Sequence, residues 1–204
     1  MDLQLWLFLL LTCSLGAMSP GPSLLVVIQA ALSSGFVNAT KVSFAHAAGI
    51  GIWAIATVFG VSAIVINYPG AQQIILVLGG GYLGYVGYKS VKAYLLRSEI
   101  SALNTNKTVT SRDGFFIAFL NPKTGVFFLA LFSQFIRPEN SALQSTIMVM
   151  TAFWVDALWY VLVSFVVLHT RIKFILIKKL AHIDLIAGIC FISIAGYVLI
   201  GLFV

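Results

Sequence analysis

The sequence predicts an all-α, polytopic membrane protein, with six transmembrane helices arranged as a 3+3 inverted repeat and the first and fourth helices broken. Three observations predict it. Of the 204 residues, 60% are hydrophobic and only 9% charged, with a mean hydropathy of +1.03; a soluble domain carries roughly 25% charge. Six apolar runs reach the roughly 20 residues that a bilayer crossing needs. Two of them are interrupted by proline, at Ser19-Pro20-Gly21-Pro22-Ser23 and at Asn121-Pro122-Lys123.

The first run, Leu3 to Leu32, follows Asp2 and carries neither a basic flank nor a convincing cleavage site, so it reads as a retained span rather than a signal peptide. At 1.5 Å per residue it is too long for a straight crossing, which fits a helix that is broken or tilted. The second, Val42 to Tyr68, and the third, Gln72 to Tyr94, complete one half of the chain. The fourth, Gly114 to Ile136, holds the second proline break. The fifth, Ser141 to His169, and the sixth, His182 to Val204, complete the other half. No polar linker marks a second domain, so residues 1–204 form one transmembrane domain with halves of about 1–98 and 110–204.

Lysine and arginine set the orientation. Lys41, then Lys89, Lys92, Arg97, Lys107 and Arg112, then Arg171, Lys173, Lys178 and Lys179 fall on one side of the alternation, and Arg137 alone on the other. The positive-inside rule puts the basic side in the cytoplasm and both termini outside. With three spans in each half, related halves must be inverted, and one break then falls in the first span of each. The net charge of +6 reports this loop bias rather than a nucleic-acid surface.

A broken helix in lipid needs a reason, because freed backbone groups there have no water to bond. One reason is a site for a polar solute at the break; the plainer one is a kink repaired by neighbouring helices. From Gly21 to Ser34 is roughly 20 Å of helix and from Asp113 to Asn121 roughly 12 Å, so both breaks fall near the midplane. Each starts a half-helix inside the membrane, with Ser19 and Asn121 as candidate caps. Two helix N-termini at one depth make a positive field suited to a carboxylate. Lys123 adds a cation, although a lysine there could instead snorkel to the interface. Ser19, Pro20, Gly21, Pro22, Ser23, Asn121, Pro122 and Lys123 are the candidate substrate-binding residues.

Asp156 lies near the centre of the fifth span, where a carboxylate costs at least about 2.5–3.5 kcal/mol on insertion scales. It is the candidate for carrying a proton or accepting a substrate ammonium; its structural alternatives are a partner for Lys123 or a neutral acid hydrogen-bonded to backbone. His46 is a candidate proton relay, and an interface histidine with a satisfied hydrogen bond is the simpler reading. A zwitterion matches both poles of such a site.

Several chemistries find no support. Gly79-Gly80-Gly81-Tyr82-Leu83-Gly84 satisfies G-x-G-x-x-G but lies inside an apolar span, where Gly80 and Gly84 are a small-residue packing pair. That row could pack within the protomer or across a homodimer. Cys13 and Cys190 lie in apolar runs and suggest neither a disulfide framework nor a zinc site. No nucleophile–base set is apparent, so the chain reads as no enzyme and calls for no cofactor and no metal. A filter loop or charged ring, which a channel needs, is missing too.

At these motifs the chain resembles the LysE/RhtB family of amino-acid exporters, of the homoserine, threonine and lysine efflux type. The resemblance rests on Ser19-Pro20-Gly21-Pro22 followed by a glycine-containing turn at Gly35, on Gly49, Gly51 and Trp53, and on Gly81 to Lys89. It continues through Leu120-Asn121-Pro122-Lys123, Phe127 to Phe132, Gln134-Phe135 and Asp156. It implies a multi-pass efflux carrier of the bacterial inner membrane that exports amino acids, driven by protons. The other reading is a channel-like protein or an antiport carrier for another small anionic or zwitterionic metabolite.

Overall fold

In the computed structural model the described backbone comprises residues 2–68, 70–96, 108–136 and 140–201; the side chains of 65, 66, 72, 122, 123 and 170–181 lie outside the description. Seven helices follow one another: α1 Leu3–Met18, α2 Pro22–Asn67, α3 Ala71–Leu95, α4 Ser111–Phe119, α5 Pro122–Phe132, α6 Ala142–Leu168 and α7 Thr170–Ile200. Four are long and apolar enough to cross a membrane, or five spans if the bent α4–α5 pair counts as one. Together with large exposed side chains such as Leu78, Leu158, Leu162 and Tyr197, they make a multi-pass membrane protein. In water so much exposed apolar surface would mark a binding or aggregation patch.

α2 is not one rod. Gly35 inside it has φ +79°, a left-handed conformation that favours glycine. Ser23 and His46, on either side, are separated by roughly 35 Å of straight helix at 1.5 Å per residue. Yet Ser23, His46 and Tyr160 line one cavity, and the His46 ring lies 4.8 Å from the Tyr160 ring. The two limbs of α2 therefore fold back on each other at Gly35. The expected turn between the first and second apolar runs is there, closed by a single residue.

The other elements match the apolar runs closely, with two differences. α7 starts at Thr170, directly after His169, so the basic stretch expected as a connection is helical. Ser19 was expected to cap the half-helix after the first break, but that helix starts at Pro22 behind Gly21. Ser19 instead ends α1: its N–H reaches the carbonyls of Leu15 and Gly16, and its hydroxyl is free to bond elsewhere. The second proline motif bends the chain by 56° between α4 and α5.

Packing follows small residues, as it must where lipid tails are as apolar as leucine and close contact drives helix association. α3 lies along α7: a Cβ on Gly87 would meet the Gly188 carbonyl at 2.5 Å, and one on Gly80 would meet Leu199 at 3.3 Å. The glycine row of α3 is thus used inside the chain. α2 clasps α4 in the same way, with Gly49 against Ala118 and Gly114 against the Val42 carbonyl. Buried hydroxyls mostly satisfy themselves on their own helix: Thr12 donates to the Phe8 carbonyl, Ser43 to Ala39 and Ser164 to Tyr160.

Candidate functional site

The α4–α5 break is repaired from outside. Breaking a helix strands carbonyls at its C-terminal end, and Trp53 donates its indole N–H to the Phe119 carbonyl at 3.0 Å. Gly125, in the first turn of α5, lies so close to the Trp53 ring that a Cβ there would sit 2.5 Å from it. One tryptophan on the second limb of α2 holds both halves of the bend.

Both breaks open into one cavity of about 90 Å³. Ser19, Gly21, Pro22 and Ser23 line it from the first break, and Asn121 and Thr124 from the second. Pro20 is not among the lining residues. Pro122 and Lys123 open α5, but their side chains lie outside the described residues. The α2 N-terminus, which lines the cavity through Gly21, Pro22 and Ser23, has no side-chain cap. A Cβ on Gly21 would meet nothing within 4 Å.

Asp156 and His46 also line the cavity. The His46 Nδ1 lies 2.7 Å from the Asp156 Oδ2, with both side chains almost fully buried. His46 thus sits buried among the helices with the satisfied hydrogen bond of the simpler reading. The pair joins the second limb of α2 to α6. Its other ring nitrogen, Nε2, is buried and has no hydrogen-bond partner among the described residues. Tyr160, one helical turn beyond Asp156, packs against the His46 ring and lines the cavity together with Ser23 at the α2 N-terminus. Polar side chains from the first break, Tyr160 and the buried pair thus share one cavity.

The remaining wall is apolar: Ile50, Val86, Phe127, Phe128 and Phe191. Phe127 and Phe191 meet edge to face at 5.5 Å. Gly16 gives Phe127 its place, since a Cβ there would come within 2.7 Å of the ring. The cavity wall therefore combines polar and aromatic side chains.

Sequence reasoning missed Tyr160, Thr124, the aromatic wall and Asp184. Tyr160 could have been found, because it shares a helix face with Asp156 at i+4. Asp184 accepts a hydrogen bond from the Ser19 hydroxyl at 3.1 Å, which ties the first break to α7. Among the described residues no group of three or more His, Cys, Asp or Glu could hold a metal ion.

Comparison with known proteins places these features. The family model for LysE type translocators matches residues 14–202. The threonine efflux protein of Salmonella typhi is 28% identical over 130 residues, 61% of this chain and 63% of that protein, so the match spans less than two thirds of its length. The homoserine/homoserine lactone efflux protein of the same organism is 26% identical over 174 residues, 84% of each chain. An uncharacterized membrane protein of Haemophilus influenzae is 24% identical over 184 residues, 87% of each. No solved structure matches the chain significantly.

Proposed function

The chain belongs to the LysE type translocator family, and from that premise we propose that it is a proton-coupled exporter of small neutral amino acids, working by alternating access from the cavity between the two breaks. The observation that carries this reading is the meeting of two half-helix starts and a buried His46–Asp156 pair around one small cavity.

The α2 and α5 N-termini suit the substrate carboxylate, with Lys123, the second residue of α5, assigned to the same pole. Asp156 suits the ammonium. One carboxylate can hold a proton or an ammonium but not both, so substrate and proton exclude each other there. That exclusion is what an exchange of inbound protons for outbound amino acid needs. His46, bonded to Asp156 through Nδ1, keeps Nε2 for proton delivery.

Size argues for a small substrate. A water occupies about 10–15 Å³ of such space, so the cavity has room for roughly six to nine water-sized groups. Alanine, serine, threonine and homoserine fit that range; arginine and tryptophan exceed it. Asp156 is the only carboxylate among the described lining residues, so a second cationic group on the substrate would find no partner. The relatives named for threonine and for homoserine efflux support the same range. Both termini are assigned to the outer side of the bacterial inner membrane, with the two halves as inverted repeats around the cavity.

The test is efflux of a labelled amino-acid panel from loaded vesicles, with and without an inward proton gradient. Small neutral substrates are expected to leave faster with the gradient. Asp156→Asn is expected to abolish the gradient's effect while the protein still elutes as a folded species. Gradient-driven efflux unchanged in that variant sinks the proton role. An amino amide that competes as well as the free acid removes the carboxylate pole.

A further inference from the structure

We propose that Ser19 and Asp184 form a releasable latch, which pins the break between α1 and α2 against α7 and keeps the cavity closed on that side. The proposal rests on the cavity being the transport path, and the geometry of the break carries it. Ser19 lines the cavity and Asp184 does not, so Ser19 stands between the cavity and the carboxylate. Its hydroxyl donates to Asp184 Oδ1 at 3.1 Å. Among the described residues this is the side-chain hydrogen bond that ties residues 19–21 to another helix.

The backbone bonds of this segment stay within its own two helices: Ser19 N–H to the Leu15 and Gly16 carbonyls, and Leu25 N–H to the Gly21 carbonyl. Pro20 and Pro22 have no N–H to give. Gly21 has extended backbone and no side chain, and a Cβ there would touch nothing. The bond is only part-buried, and a single hydrogen bond of this kind is worth a modest net free energy, so it can break and re-form. On α7, Asp184 and Phe191 lie two turns apart on one face, and Phe191 forms part of the cavity wall. Release of Ser19 frees the break from the same helix face that carries that wall.

The test uses the full-length protein with Cys190→Ser, which leaves Cys13, a cavity-lining residue, as the one thiol. Modification of Cys13 by methyl methanethiosulfonate then reports how often the cavity opens. Ser19→Ala and Asp184→Ala are each expected to speed modification about three- to tenfold, the population shift expected from losing one modest hydrogen bond. The double variant is expected to be no faster than the faster single, because both remove the same bond. Asp184→Asn keeps a carbonyl acceptor and is expected to stay near the parent's rate. Unchanged rates in the alanine variants, or additive rates in the double, overturn the latch. Ser19→Ala removes one oxygen and decides the matter alone should Asp184→Ala fail to elute as folded protein. Efflux by the same proteins separates the two readings: a parent that exports no amino acid overturns the transport function, while the labelling rates still decide the latch.

Discussion

Asp156 and His46 are 110 residues apart in the chain and 2.7 Å apart in the fold. A carboxylate in an apolar span could be recognised from sequence because nothing else there explains its cost. Its partner could not, because the pairing depends on which faces of α2 and α6 meet. Asp184 was hidden for the opposite reason: beside Lys178, Lys179 and His182 it looks like an ordinary interface charge. Ser19 looks the same in sequence whether it caps a helix or reaches across to another. The buried pair predicts strong coupling. His46→Ala strands the Asp156 carboxylate, and breaking a buried pair from one side costs about 3–5 kcal/mol. Asp156→Asn leaves a neutral group and is expected to cost less. The double variant, Asp156→Asn with His46→Ala, is expected to be more stable than the sum of the two predicts, by roughly 0.5–3 kcal/mol. Thermal unfolding of the four proteins in detergent measures this, and additive losses would mean that the two side chains do not act as a pair.

The breaks belong to the scale of elements, and they were legible because proline cannot continue a helix. Gly35 was legible as a turn, and the structure sharpens it into a reversal within one residue. What repairs the second break was not legible: the Trp53 N–H reaches the Phe119 carbonyl only because α2 and α4 pack tightly through Gly49 and Gly114. The glycine-rich α3 shows the same limit. Its small residues promised close packing, but their direction came only with the fold: Gly79 faces α5, Gly80 and Gly87 face α7, and Gly81 faces open space. Substitution therefore has opposite outcomes two turns apart. Gly87→Leu forces a side chain into the Gly188 backbone and is expected to cost at least the roughly 1–3 kcal/mol of ordinary overpacking. Gly81→Leu is expected to leave the unfolding temperature nearly unchanged or raise it slightly, since glycine is a poor helix residue. Equal stability of the two variants would show that α3 and α7 do not lie in this register.

At the scale of the whole molecule, two broken segments and three long helices build a cavity lined by both polar and aromatic side chains. Much of the polar lining could be named from sequence, but not Tyr160 or Thr124, nor how the residues meet. The aromatic lining could not, because Phe127, Phe128 and Phe191 are indistinguishable in sequence from side chains that face lipid. On the proposed transport path, this wall sets how large a solute fits. Phe191 is almost fully buried on α7 and braces Phe127 at 5.5 Å. Phe191→Ala removes that brace and adds its ring volume to the cavity. A large-to-small change in a packed core costs about 3–5 kcal/mol, so the variant is expected to unfold at a lower temperature while still folding. Its effect on transport is the sharper readout. The poles proposed for the carboxylate and ammonium are untouched, so threonine-sized substrates are expected to lose rate through a looser fit. Leucine and methionine are expected to gain rate through the added space. Competition between labelled threonine and unlabelled leucine in the same vesicles gives the ratio free of differences in protein yield. A ratio that moves toward leucine places the substrate side chain against Phe191. A ratio that stays fixed while stability falls would make Phe191 a packing residue only, with size selection set elsewhere along the path.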